Sequence, residues 1–255
     1  MGDKVRRDWK DRDWEFKAQQ NPLFAVQSTD DMADAAASDF SPELLEALFV
    51  RGRKLFRKNL APLLTVYADP LLVEYGCGVG RILKAATEAG HRCIGIDISP
   101  TMLAHCREMA PLTQALYAVD EQGHTSVQDC CAQLVFSYAV LQHISTLSTY
   151  LTALDEMCRI LAPGGVLAIH LNCEDICNGD RAAPGRTENF ETYSLHYRPG
   201  ETTPYLRHDQ DSWSGVYIGI ERLVEHLARR GATVTQWRSR QQLKPRGIWV
   251  LASKA

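Results

Sequence analysis

One stretch, Leu71-Leu72-Val73-Glu74-Tyr75-Gly76-Cys77-Gly78-Val79-Gly80-Arg81, limits what this chain can fold into more than any other. Asp69-Pro70 breaks what precedes it, because the proline ring pushes its neighbour out of the helical region, and the apolar run that follows reads as a buried strand. Three glycines at alternate positions come next. From Arg81 to Ala89 a helical pattern resumes, and Gly90 can close it in the left-handed region. Strand, glycine turn and helix make a corner where a nucleotide-like ligand can approach the backbone, since no Cβ stands between them.

Spacing narrows the ligand. A dinucleotide fingerprint, G-x-G-x-x-G, would put its third glycine at position 81, where this chain has Arg81. A P-loop would need Gly-Lys-Ser/Thr, and Arg81-Ile82-Leu83 does not supply it. Glu74, just ahead of the glycines, is a poor neighbour for a pyrophosphate and a good one for a cation. S-adenosylmethionine (SAM) offers a nucleoside, a sulfonium and an ammonium, with no phosphate. With Glu74, Gly76, Gly78 and Gly80, the stretch resembles the acidic-x-Gly-x-Gly-x-Gly first motif of the class I SAM-dependent methyltransferases.

Later segments keep the resemblance in order. Cys93-Ile94-Gly95-Ile96-Asp97 reads as a second strand, and Asp97 stands roughly 20 residues past the glycines, where an acidic side chain can accept both ribose hydroxyls. Ser99-Pro100 caps the following helix, which leaves Asp97 free for that role. Ala115 to Val119 reads as a third strand and Leu134 to Tyr138 as a fourth. Ser137 through Ile144 resembles the family's S-x-x-V-L-x-H-I/V stretch, and a helix from about Leu147 to Leu161 follows. Arg159 through Gly165 resembles its R-h-L-x-P-G-G turn (h apolar) into a fifth strand, Val166 to Leu171. The resemblance covers residues 71 to 171.

The resemblance implies a doubly wound α/β sheet of seven strands ending in an antiparallel hairpin, here read at Thr233–Arg238 and Ile248–Ser253 after a helix over 218–230. It implies SAM as cofactor and S-adenosylhomocysteine (SAH) as product. The cofactor would be held by Glu74, Gly76, Cys77, Gly78, Gly80, Arg81, Asp97, Ile98 and Met102, by Asp120 near the adenine, and by Ser137 and Tyr138 near the transfer site. Some bacterial relatives also set a glycine and a polar residue against the SAM carboxylate, which makes Gly52 and Arg53 candidates. Gly52 itself reads first as a plain turn between a helix begun at Ser41-Pro42-Glu43 and a second helix over Arg53–Leu64.

Two domains follow: residues 1–64 as a helical N-terminal cap, and 65–255 as the methyltransferase domain with an insert at 172–214. In the cap, Trp9, Trp14, Phe16, Leu23 and Phe24 surround a short amphipathic helix over Asp13–Gln20. It serves either as outside packing or as a lid over the cofactor. The insert carries Tyr193, His196, Tyr197 and Trp213, aromatic walls with polar tips that suit an acceptor pocket or, alternatively, a homodimer interface.

Methyl transfer is an in-line displacement that needs alignment and exclusion of water more than it needs a base. His143 is the candidate base, set against a packing or hydrogen-bonding role. His170 reads as buried and satisfied. No metal is expected: the eight cysteines contain no C-x-x-C pair, and Ser137 stands where cation-dependent catechol-type enzymes carry an aspartate. A net charge of −3 gives no global nucleic-acid footprint. No apolar run reaches membrane-spanning length, and the charged N-terminus is unlike a signal, so the chain reads as cytoplasmic. Three functions remain open: methylation of an O or N atom of a small molecule, methylation of a peptide, protein or RNA, and a SAM-type fold without methyl transfer.

Overall fold

The apolar run at 71–75 becomes a central strand. In the computed structural model, which describes residues 14–16, 18–19, 22–23, 41–120, 122–144, 146–171, 218, 220–239 and 248–255, β1 (Leu71–Tyr75) is buried at every position. Such burial is what a strand covered on both faces requires. The further strands are β2 (Arg92–Asp97), β3 (Ala115–Ala118), β4 (Ala132–Tyr138), β5 (Leu161–Leu171), β6 (Ala232–Ser239) and β7 (Ile248–Lys254). They form one seven-stranded sheet in the order β3-β2-β1-β4-β5-β7-β6. β1 to β5 pair in parallel, and β7 runs antiparallel between β5 and β6. The doubly wound sheet with a terminal antiparallel hairpin is therefore the observed architecture.

Side-chain alternation assigns the two faces. Val73, Ile96, Val135 and Ile169 pack with Tyr150, Leu154 and Met157 of helix α4 (Leu147–Ile160) and with Leu223 and Leu227 of α5 (Ile220–Arg229). Leu72, Leu134 and Phe136 point the other way, onto Ile82 and Leu83 of α2 (Arg81–Glu88) and Leu103 of α3 (Pro100–Met109). Glu74 shares the parity of Leu72, so its carboxyl turns toward α2. Each face buries apolar side chains worth about 1.5–3 kcal/mol apiece.

Helix starts follow the capping residues. Ser41 caps α1 (Pro42–Leu55) by accepting the Leu44 N–H, Ser99 caps α3 by accepting that of Met102, and Thr146 caps α4 by accepting that of Thr149. Gly52 departs from the sequence reading. It does not separate two helices: α1 runs through it, followed by a π-helical turn at Phe56–Leu60 and a 3-10 turn at Ala61–Leu63. A Cβ on Gly52 would stand 2.2 Å from the Arg81 carbonyl oxygen. The glycine is there for close approach of α1 to α2 rather than for a turn.

β5 also begins earlier than Val166. Leu161 already pairs with Ala132, and the register then shifts by Leu134 as Pro163-Gly164-Gly165 passes. The Pro-Gly-Gly turn therefore interrupts a ladder already begun. No helix among the described residues is long and apolar enough to cross a membrane. The insert at 172–214, with Tyr193, His196, Tyr197 and Trp213, lies outside the described residues, as do Trp9, Phe24, Cys173, Cys177 and His208.

Candidate functional site

Where the sheet order reverses, β1 lies between β2 and β4, and a cavity of about 390 Å³ opens at the carboxyl ends of these strands. Open α/β sheets bind their ligands at such a crevice. Gly76, Gly78 and Gly80 take φ of 80°, 52° and 80°. The Gly76 and Cys77 N–H groups both donate to the Ile96 carbonyl, at 2.8 and 2.9 Å, which ties the glycine loop to β2. At Gly76 a side chain is doubly excluded, by the left-handed backbone and by Val140, whose Cγ2 would lie 2.3 Å from an added Cβ.

Glu74 is the unusual group. It is 2% exposed and lines the cavity. Its Oε2 has no hydrogen-bond partner among the described residues. Burial pushes its pKa well above the ordinary carboxylate range, against the pull of nearby Arg81. Arg81 lines the same cavity, its guanidinium 5.2 Å from the centre of the Tyr138 ring. The cavity thus presents an acid and a base, side by side, that form no ion pair within 4.0 Å among the described residues.

Asp97 ends β2 and lines the cavity as well. Ser99 is the helix cap, as expected, but Asp97 carries a structural duty too. Its Oδ2 accepts the Gly78 N–H at 2.8 Å and its Oδ1 the Ser99 N–H at 3.0 Å. Burial raises its pKa, and these N–H bonds counter the rise. Asp120 also faces the cavity, with Oδ1 accepting the Gln122 and His124 N–H groups at 2.9 and 2.8 Å.

At the other end, His143 meets Trp14 edge to face with centroids 5.2 Å apart. The His143 Nε2 is 3.3 Å from Gln142 Nε2. Cys77, Ile98, Met102 and Tyr138 complete the expected residues that reach the cavity. Gly52, Arg53, Gly80 and Ser137 do not line it. Gly80 sits over Cys106, whose Sγ would be 2.6 Å from an added Cβ. Ser137 is fully buried and donates to the Tyr75 carbonyl at 2.9 Å. Arg53 pairs with Glu46 at 2.5 Å, while its neighbour Gly52 is the residue pressed against α2.

Sequence reasoning passed over Ser148, Thr149 and Thr152, which line the cavity from α4. Their spacing sets them apart from the buried stripe of Tyr150, Leu154 and Met157, and that polar strip was the available signal. It also passed over Glu15, whose carboxylate accepts from Ser99 Oγ and Thr101 Oγ1, each at 2.5 Å. A contact between residues 84 apart leaves no local pattern.

Residues 73–169 match a protein-family model described as a methyltransferase domain. The chain is similar to a trans-aconitate 2-methyltransferase of Methylobacterium radiotolerans, 32% identical over 139 residues, covering 52% of this chain and 50% of that protein. It is also similar to a malonyl-[acyl-carrier protein] O-methyltransferase of Pectobacterium atrosepticum, 28% identical over 120 residues, covering 47% and 46%. The chain thus spans about half the length of these relatives. A crystal structure of a SAM-dependent methyltransferase from Methanosarcina mazei superposes with a TM-score of 0.54 at 19% identity, over 76% of this chain and 98% of that one, a likeness of fold.

Proposed function

We propose, from the match of residues 73–169 to a methyltransferase-domain model, that this chain transfers a methyl group from SAM to an O or N atom of a small molecule. The observation that carries the reading is buried Glu74, which lines the cavity together with Arg81 and whose Oε2 has no hydrogen-bond partner among the described residues. A buried carboxyl in that state is strongly disfavoured when charged unless a cation arrives to pair with it. The amino-acid end of SAM is a zwitterion, an ammonium for Glu74 and a carboxylate for Arg81, whose planar fork suits that partner.

The rest of the cavity fits the nucleoside. Each Asp97 oxygen accepts one backbone N–H and keeps further lone-pair capacity for a ribose hydroxyl. Asp120 Oδ2 accepts no hydrogen bond among the described residues and can take an exocyclic amine, and Ser148, Thr149 and Thr152 supply hydroxyls along the same wall. When bound, SAM supplies an electrophilic methyl carbon on a sulfonium, so the chain's task is to orient the acceptor and keep water out.

Trp14, Tyr138, Val140 and Ile144 provide apolar walls for that exclusion. His143 serves as a positioning group. Its Nε2 is within reach of the Gln142 amide, which competes with any proton an acceptor would deliver there. The insert at 172–214, through Tyr193, His196, Tyr197 and Trp213, is the proposed outer wall of the acceptor pocket.

The test is a transfer assay. SAM bearing a labelled methyl group would be incubated with the chain and a panel of small carboxylic acids, phenols and amines. Mass spectrometry should find SAH and labelled acceptor in equal amounts, and both should vanish in Gly78→Val. Label that stays on SAM across the panel, or a Gly78→Val variant that turns over like the parent, counts against the reading.

A further inference from the structure

We propose that Glu15 is a positioning residue: it seats Trp14 over the mouth of the cavity and couples that seat to the cofactor-binding carboxylate of Asp97. The proposal rests on the SAM site argued above.

The geometry is specific. Glu15 Oε2 accepts from Ser99 Oγ at 2.5 Å and from the Thr101 N–H at 3.3 Å, while Oε1 accepts from Thr101 Oγ1 at 2.5 Å. Gln19, one turn along, donates to Oε1 at 2.8 Å. The carboxylate therefore sits on the amino end of α3, where free N–H groups and the helix dipole favour negative charge. Ser99 relays the contact. Its Oγ also accepts the Met102 N–H at 3.1 Å, and its own N–H donates to Asp97 Oδ1, whose other oxygen holds Gly78.

Trp14 precedes Glu15 directly, so the bonds at the Glu15 carboxylate hold the backbone from which the indole projects. The indole lines the cavity and lies against His143. Beneath it, Ala18 and Leu23 are buried with Val79 of the glycine loop, Met102 of α3 and Leu48 of α1. A continuous set of hydrogen bonds thus runs from Glu15, next to Trp14 in the chain, through Ser99 and Asp97 to Gly78 of the glycine loop. Two outcomes follow from it. A cofactor that orders Asp97 and Gly78 steadies the anchor of the lid, and a lid released from its anchor lets the cofactor leave faster.

The experiment measures SAH association and dissociation by stopped flow on the full chain. Variants are Glu15→Ala, Glu15→Gln, Thr101→Val and the double variant Glu15→Ala/Thr101→Val. Glu15→Ala should speed dissociation about tenfold or more, the size of one lost charge-assisted hydrogen bond, with association no slower than in the parent. Thr101→Val should do so less, the double variant no more than Glu15→Ala alone, and Glu15→Gln should recover part of the loss. Dissociation in Glu15→Ala within about twofold of the parent, or effects that simply add, overturns the proposal. A second readout needs no cofactor: in 5-fluorotryptophan protein, the resonance that disappears in Trp14→Phe should move to an exposed position in Glu15→Ala. If it stays, Glu15 does not seat Trp14. A parent chain that binds no SAH while this resonance still responds to Glu15 sinks the cofactor reading and the coupling to Asp97, leaving only the seat.

Discussion

Glu74 is a buried carboxyl that opposes stability, and the proposed SAM site would put that opposition to use. It is 2% exposed, and burial raises its pKa well above the ordinary carboxylate range, with Arg81 the largest opposing influence. The sign follows from linkage: a raised folded value means the contribution to stability is fully present below the unfolded pKa and is lost as pH rises through the folded one. Glu74→Gln, neutral and of the same shape, should therefore raise the melting temperature of the empty protein, most clearly at the alkaline end of its range. The same change should weaken SAM binding by about tenfold or more, the value of a hydrogen bond to a charged group. In the parent, SAM affinity should climb as pH rises through the Glu74 value, and the variant should lack that climb. Calorimetry across pH in both proteins measures this, and parallel profiles would remove Glu74 from the site. The acid before three glycines is visible in sequence. Its orphaned oxygen is not, because that depends on what α2 leaves uncovered.

Helix α4 is the element that fixes one wall of the cavity, and ion pairs at its far end hold it there. Glu156, 1% exposed, accepts the Thr125 N–H and Oγ1 at 2.8 and 2.7 Å and two Arg159 nitrogens at 2.8 and 2.6 Å. Arg159 also bonds Asp129. Asp155 takes Arg230 through both oxygens at 2.7 and 2.6 Å and His226 at 2.7 Å, which locks α5 to α4. Burial would raise both carboxyls, but for Glu156 the Arg159 and Thr125 bonds, and for Asp155 the Arg230 and His226 bonds, hold them below their usual range. For depressed values the sign reverses: the stability is present above the unfolded pKa and is lost as pH falls through the folded one. Glu156→Ala should cost about 3 kcal/mol at neutral pH, near the lower limit for breaking a buried pair because Arg159 keeps Asp129. That deficit should shrink in urea melts as pH falls through the depressed Glu156 value, where the parent loses the interaction too. An undiminished deficit at acid pH would mean the loss is packing, not charge. The span of α4 could be read from its apolar period, whereas Gly52 was misread, since a glycine for close helix contact looks in sequence like one that ends a helix.

At the scale of the whole molecule, the sheet order and the cavity are one fact. Reversal at β1 leaves the ends of β1, β2 and β4 open together, and the ordered motifs from Glu74 to Leu171 made that topology legible before any coordinates. What could not be read were contacts between distant parts, such as Glu15 on Ser99, and the withdrawal of Ser137 behind the Tyr75 carbonyl. Those depend on side-chain direction at strand ends, which spacing does not encode. The cavity is walled by residues from both sides of the reversal, from the loop after β3 and from α4, so a ligand filling it touches segments that unfolding would scatter. A ligand that binds only the folded chain stabilises it by RT ln(1 + [L]/Kd), about 2.7 kcal/mol at a hundredfold excess over Kd. For a protein of this size that corresponds to a rise in Tm of about 5–10 °C. SAH at that excess should produce such a shift in calorimetry, and Gly78→Val should abolish it. The variant's own Tm should also fall, because Gly78 sits at φ 52°, a strained setting for a β-branched side chain. A full shift in Gly78→Val would place SAH outside the glycine loop, and no shift in the parent at saturating SAH would mean that the cavity at the reversal point takes a different ligand.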